Sequence, residues 1–466
     1  MYHLNLTLDP AGKKPMYEQL YRFLADEIRS GVIGSGERLP SKRALCAQLG
    51  VSRSTVEAAC DLLLAEGYAV SRPRSGFFAA DVLTQTAPTE QPARKPAPPE
   101  PVSREEDLFS TSAVDVSQFP YASWAKLYRE VIYHSPALLQ RGEAQGEPEL
   151  QQALARLLSE YRSVRCDPEQ IVVGSGLETL LSQLITLFGP KTVYALEDPG
   201  YPFLERTLRA RERAIRYIPL DGDGMDAAAL EASHADVAYL TPSHQFPMGV
   251  TMPASRRSRL LRWAEAGDRW IIEDDYDSEF RYGGRPLSSM QGMDRAERVI
   301  YTGTFSRSLA PSIRLAFMVL PHALLERFRA VFGREQTTVS RYEQTVMARF
   351  LDEGFYSRYL RRVGLLYARR REALLEALRG IDGVTVSGAG GGIHFLLTNP
   401  RWTEAELIEK AAAIGLRLAG LSSLCRTVPA LASTLIVGYG GLPTARIPEI
   451  AQKLREAWAE NGQGRP

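Results

Sequence analysis

Residues 270–321 read WIIEDDYDSEFRYGGRPLSSMQGMDRAERVIYTGTFSRSLAPSIRLAFMVLP, and three short apolar runs within them decide the fold. WIIEDDY, RVIYTGTF and LAFMVL each have the length and the β-branched or aromatic content of a buried strand. Upstream the same rhythm continues through IVVGSG, KTVYALEDPG and DVAYLTP, with helical stretches between them. Strands that alternate with helices predict an α/β unit on a mostly parallel sheet, here spanning residues 113–466.

Ligands of such sheets bind at the carboxyl ends of the strands, where this chain concentrates its polar chemistry. WIIEDDY runs into Asp274 and Asp275, although either could instead cap the following segment. IVVGSGLETLL is a strand, a glycine turn and a helix start, so the amides of Ser175, Gly176 and Leu177 are expected to face an anion. Alone, a GSG is more often only a tight turn, and an aromatic such as Tyr201 in EDPGYPF is more often core or rim. YTGTFSRSLAPSIRLAFMVLP sets hydroxyls, Ser306 among them, and Arg307 and Arg314 between two strands.

The chain has 466 residues, 44% of them hydrophobic and 24% charged, which excludes a wholly disordered chain, a collagen-like fibre and a coiled coil. No uncharged apolar run approaches the length of a membrane span, and the first residues have no basic cluster followed by an apolar stretch. Cys46, Cys60, Cys166 and Cys425 lie far apart and read as free thiols, neither a disulfide framework nor a metal site. A cytoplasmic protein is expected. Net charge is only +1, but Arg38, Lys42, Arg43, Arg53, Arg72 and Arg74 fall in two windows, 38–53 and 72–74, that contain no acid.

Those windows lie in residues 1–80, which alternate amphipathic helical patterns with short turns. Residues 81–112 hold six prolines and predict a semi-extended linker between two domains. In PMYEQLYRFLADEIRS, Met16, Leu20, Phe23, Leu24 and Ile28 share one helical face, Pro15 suits the start and Gly31 the stop. In LPSKRALCAQLGVSRSTVEAACDLLLAEGY, Ser41 can cap a short helix through about Leu49, Gly50 permits a sharp turn, and Ser52 or Ser54 can cap the next helix. YAVSR and GFFAA then flank a basic turn. The pattern predicts a helix-turn-helix with a two-stranded wing.

This segment resembles the winged helix-turn-helix of the GntR superfamily through PMYEQL, GERLPSKRAL, LGVSRSTV and RSGFF. The resemblance implies that Lys42, Arg43, Ser52, Arg53, Thr55, Arg74 and Gly76 face double-stranded DNA, while Arg38, Arg72 and Lys42 are equally readable as solvated charges. The four large-domain motifs resemble, in order and spacing, the fold-type I aminotransferase domain. The chain as a whole resembles the MocR (GabR-like) family, with TPSHQFPMGV and IIEDDYDSEFRY its most specific matches. In that family the large domain is a homodimeric sensor of pyridoxal 5′-phosphate. By motif, Asp274 would pair with the ring nitrogen, Tyr276 would donate to the ring hydroxyl oxygen and Tyr201 would stack on the ring. Ser175, Gly176, Leu177, Ser306 and Arg314 would hold the phosphate. Arg426 reads either as a partner for an effector carboxylate or as a surface arginine.

One position departs from that family. Its motif has a lysine, which forms the imine to the cofactor, where this chain has Arg307. Guanidinium groups stay protonated in proteins and have no lone pair for the bond. No neighbour can substitute, because residues 192–409 contain no lysine. Smaller departures are Arg141, Gln151, Glu178, Leu424 and Cys425. The expectation is no catalytic residue, no metal, and a non-covalent site for the phosphate, another vitamer or an amino acid adduct. The alternatives are a vestigial pocket in a domain that only dimerises, and an aminotransferase with an accessory DNA-binding domain.

Overall fold

The computed structural model describes residues 6–10, 12, 14–73, 75–82, 108–282, 288–429 and 431–459. Two compact units emerge, Met1–Pro101 and Val102–Pro466.

In the first unit, α1 (Met16–Arg29) buries Leu20, Leu24 and Ile28 and half-buries Met16 and Phe23, the face its spacing predicts. The hydroxyl of Ser41 accepts from the Ala44 amide at 3.2 Å and starts α2 (Lys42–Leu49). Gly50 then turns the chain at φ 68°, a left-handed conformation that costs glycine little. Of the two candidate caps for α3 (Arg53–Ala65), Ser52 is the one used, accepting from Thr55 N at 3.3 Å. The wing pairs β1 (Ala69–Arg72) with β2 (Gly76–Ala79) in antiparallel register. Leu20, Leu24, Ile28, Val56, Ala59 and Leu63 form the core beneath.

The second unit is built on eight strands: β3 (Ile171–Gly174), β4 (Val193–Asp198), β5 (Ala214–Asp221), β6 (Gly224–Met225), β7 (Val237–Leu240), β8 (Trp270–Asp275), β9 (Val299–Thr304) and β10 (Ala316–Val319). Their order is β3-β10-β9-β8-β7-β4-β5-β6. The five strands from β9 to β5 in this order run parallel. β10 is antiparallel to both neighbours, because the link from β9 is too short for a crossover helix.

Helices cover both faces of the sheet. α4 (Tyr121–His134) and α5 (Pro148–Arg162) share a core with Val173, Tyr301 and Phe317. On the other face, α6 (Leu177–Phe188) packs with Val172, Tyr239, Ile272, Ile300 and Met318. A second, antiparallel sheet of β11 (Thr385–Ser387), β12 (His394–Thr398), β13 (Ala419–Gly420) and β14 (Thr434–Gly438), unforeseen in the sequence, follows the long helix Phe355–Arg379.

The large unit begins earlier than residue 113. Phe109 is buried in its core and its carbonyl accepts from Gly438 N at 2.9 Å. Leu108–Ser112, placed by the sequence in the linker, thus pack as part of this unit, since one phenylalanine among prolines and acids shows no periodicity. No helix among the described residues is long and apolar enough to cross a membrane.

Candidate functional site

Two sites emerge, one in each unit. In the first, Arg53 opens α3 with its side chain 81% exposed, and its Nε donates to Glu57 at 3.0 Å. Lys42 lies 3.8 Å from the same carboxylate and 5.3 Å from the Phe77 ring centroid. Arg43 is exposed beside it. The hydroxyls of Ser52 and Thr55 lie 2.9 Å apart and hold the helix start. Gly76 opens β2 at φ 106°, beside the Arg38 guanidinium. Arg72 is stacked over Phe78 at 4.4 Å, an intramolecular use for that charge. Arg74 lies outside the described residues.

Replacing Arg53 by Ala is expected to weaken binding to a DNA operator by about 1–3 kcal/mol if the guanidinium reads a base edge. If it meets only phosphate, sequence preference stays and the salt slope of binding falls by about one. Fluorescence anisotropy on specific and scrambled duplexes over a salt series separates the two. Unchanged affinity would remove Arg53 from the interface.

In the second unit, the carboxyl ends of β8 and β9, the first turn of α6 and Tyr201 enclose a cavity of about 200 Å³. It is lined by Leu177, Tyr201, Asp274, Tyr276, Ser306, Arg307 and Arg314, and also by Ser112, Glu178, Thr241 and Phe246. Strand pleating settles which of the paired carboxylates faces it. Successive β8 side chains point to opposite faces of the sheet. Asp274 shares a face with Ile272 and Tyr239, and its Oδ2 accepts from the Tyr239 hydroxyl. Its Oδ1 is buried with no partner among the described residues. Burial pushes Asp274 up to about 7. An orphaned, buried carboxylate oxygen beside a cavity is an acceptor that lacks its donor.

Asp275 points to the opposite face, where its Oδ2 accepts from Arg162 Nε at 2.6 Å and from the Tyr301 hydroxyl at 2.5 Å. Burial works against the charge on Arg162, but Asp275 outweighs it and the net shift is upward.

Tyr276 is positioned by a relay. Its hydroxyl lies 3.1 Å from His244 Nδ1, which is 3.0 Å from Asp277 Oδ2. Burial opposes protonation of His244, yet Asp277 prevails and raises its pKa. With the hydrogen on Nδ1 shared between Asp277 and the Tyr276 oxygen, the phenol keeps its own hydrogen for the pocket. Tyr201 meets Phe246 edge-on at 5.7 Å. The Arg307 guanidinium lies 5.8 Å from the Tyr276 ring centroid.

The anion corner differs from expectation at Ser175. Its amide donates to Thr338 Oγ1 at 2.9 Å and so is not free for a phosphate, while its hydroxyl lies 3.2 Å from that of Thr179. Gly176 caps α6 at φ 116°, and Leu177 follows in the first turn, where the Thr179 amide donates to the Gly176 carbonyl at 3.2 Å. Arg314, itself in the left-handed region at φ 47°, donates to Glu178 Oε2 at 2.6 Å. Ser306 Oγ accepts from Thr304 Oγ1 at 3.1 Å. Arg426 is held by Glu205 Oε2 at 2.8 Å and by the Ser423 carbonyl at 2.9 Å, not presented to a ligand carboxylate.

The sequence missed His244 and Asp277. With His394 they bring ligand-type atoms within 4.8 Å of one another, a geometry open to a metal ion. Gly392 packs directly against the pair, and His394 Nε2 lies 3.1 Å from the Pro247 carbonyl. Their positions along the chain show no ligand spacing that could have signalled the cluster.

A winged helix joined to an aminotransferase-type unit defines a two-part DNA-binding regulator. Residues 16–79 match the family described as bacterial regulatory proteins, gntR family, and residues 109–453 match aminotransferase class I and II. The chain is 38% identical to the uncharacterized HTH-type transcriptional regulator YdeL of Bacillus subtilis (strain 168), covering 98% of each chain. It is 32% identical to the probable rhizopine catabolism regulatory protein MocR of Rhizobium meliloti, over 97% of this chain and 96% of that one. It is 30% identical to the HTH-type pyridoxine biosynthesis transcriptional regulator PdxR of Corynebacterium glutamicum, over 90% and 91%. Among solved structures, the kynurenine aminotransferase of Pyrococcus horikoshii, in complex with PMP, matches at 26% identity and TM-score 0.65, covering 74% of this chain and 89% of that one. The chain belongs to the MocR family of HTH-type transcriptional regulators, with a GntR-type head and an aminotransferase class I and II unit.

Proposed function

We propose that this regulator is a cytoplasmic homodimer whose large unit holds a vitamin B6 vitamer, or its amino acid adduct, non-covalently and without transamination. The carrying observation is the buried, unpartnered Oδ1 of Asp274, a residue lining a cavity that Tyr276 also lines. A pyridine-type ring fits these groups: its protonated nitrogen would donate to Asp274, its hydroxyl oxygen would accept from Tyr276, and Tyr201 would lie against its face. Bound there, the vitamer supplies a charged aromatic ring as a recognition element. Arg307 supports the non-covalent reading, because a guanidinium offers no amine. The relatives' names support it too: PdxR is a regulator of pyridoxine biosynthesis, and the kynurenine aminotransferase structure carries PMP. A two-fold dimer would present two heads to repeated half-sites, and the ligand must bind one arrangement of heads better than another to switch it. The proposed organisation is a DNA-binding head over residues 1–80 and a sensor from Leu108 onward.

Calorimetric titration with pyridoxamine 5′-phosphate, which has no aldehyde to react with surface lysines, tests this. One saturable site is expected, and Asp274→Ala is expected to weaken it by about ten- to a hundredfold, the value of a charge-assisted hydrogen bond. Absence of binding to the parent chain, or equal binding to Asp274→Ala, would overturn the assignment.

A further inference from the structure

We propose that Glu178 is a built-in counter-anion for Arg314, so that the pocket prefers a ring ligand with an uncharged tail over one carrying a phosphate dianion. The inference rests on the vitamer reading above and names which vitamers the pocket takes. Glu178 Oε2 sits 2.6 Å from the Arg314 guanidinium. Both reach the helix start with their side chains 51% and 42% exposed: a Cβ on Gly176 would lie 2.3 Å from Arg314 Nη2 and 2.8 Å from Glu178 Oε2. This is the place where an incoming anion would meet the first amides of α6. Glu178 is the acidic residue of that first turn, where the helix dipole already favours a negative charge.

The charged groups lining the cavity are Glu178, Asp274, Arg307 and Arg314. Glu178 neutralises Arg314 and Asp274 is committed to the ring nitrogen, so Arg307 is the one lining cation left to a dianion. A phosphate must either displace Glu178 from Arg314 or share the guanidinium with a carboxylate beside it, and like charges so placed are strongly unfavourable. A hydroxymethyl tail instead brings an O–H donor that Glu178 can accept, leaving the ion pair intact. The Ser175 amide, donated to Thr338 Oγ1, adds nothing on the anion's side.

Pyridoxamine and pyridoxamine 5′-phosphate, titrated into the parent and into Glu178→Gln, test the coupling between ligand phosphate and carboxylate. In the parent the phosphate is expected to bring no advantage, pyridoxamine binding at least as tightly as its 5′-phosphate. In Glu178→Gln an advantage of about tenfold or more should appear, because the counter-charge is gone and the shape kept. The same ratio of affinities in both proteins overturns the proposal while leaving the vitamer site standing. If neither vitamer binds either protein, the vitamer reading fails, and inorganic phosphate decides the rest through thermal stability. Phosphate that stabilises Glu178→Gln but not the parent, with the effect lost in Glu178→Gln/Arg314→Gln, sustains the counter-anion. Equal stabilisation of parent and Glu178→Gln overturns it.

Discussion

Incubated with pyridoxal 5′-phosphate and then borohydride, Arg307→Lys is expected to carry one reduced pyridoxyl group at that residue, whereas the parent carries none in the pocket. Position 307 lines the cavity, its side chain lies against the Tyr276 ring, and Asp274 and Arg314 line the same space. A lysine there places a primary amine among groups suited to the ring. The parent has no such option: every residue from 192 to 409 is something other than lysine. Lys191 precedes β4, at the end of the strand away from the cavity, and Lys410 lies in the helix Glu404–Ala413. Intact-mass measurement followed by peptide mapping reads the outcome directly. A labelled pocket residue in the parent, or an unlabelled Arg307→Lys that still binds pyridoxamine 5′-phosphate, would sink the non-covalent account.

The largest loss of stability is expected on the other face of β8. Arg162→Ala removes the cation from a buried pair whose side chains are 8% and 2% exposed. Among the described residues it leaves Asp275 with the Tyr301 hydroxyl, and it strips Ser243 of the Nη2 donor that reaches it at 2.6 Å. Deleting one partner of such a pair costs about 3–5 kcal/mol, because the remaining charge is buried and uncompensated. Urea denaturation of the isolated large unit's transition measures it. The double variant Arg162→Met/Asp275→Leu should recover much of the loss, since apolar replacement of both charges restores packing without an orphan. A loss below about 1 kcal/mol in Arg162→Ala would mean that water reaches the pair and screens it.

The parts of this molecule that could be read from the chain are those whose cause is local. Ser41, Gly50 and Ser52 act within three or four residues, through a cap hydroxyl or a left-handed turn, so α2 and α3 follow from the string of letters. The six runs IVVGSG, KTVYALEDPG, DVAYLTP, WIIEDDY, RVIYTGTF and LAFMVL all became strands of one sheet, because an unbroken apolar run demands burial on both faces. Arg307 is legible in the same way: the chemistry of a guanidinium does not depend on its surroundings.

What lies far apart in the chain was settled only by folding. Without the family resemblance, which picks Asp274, the letters leave Asp274 and Asp275 equivalent; the pleat of β8 and the helix layers on its two faces send one to the cavity and the other to Arg162. The His244–Asp277 relay behind Tyr276 and the return of Phe109 into the large unit join segments with no shared spacing. The Ser175 amide met Thr338 and Arg314 met Glu178 for the same reason. Caps, turns and strand burial are short-range properties that a sequence states outright. Which polar group meets which depends on contacts between residues brought together by the sheet, and those exist only once the sheet has formed.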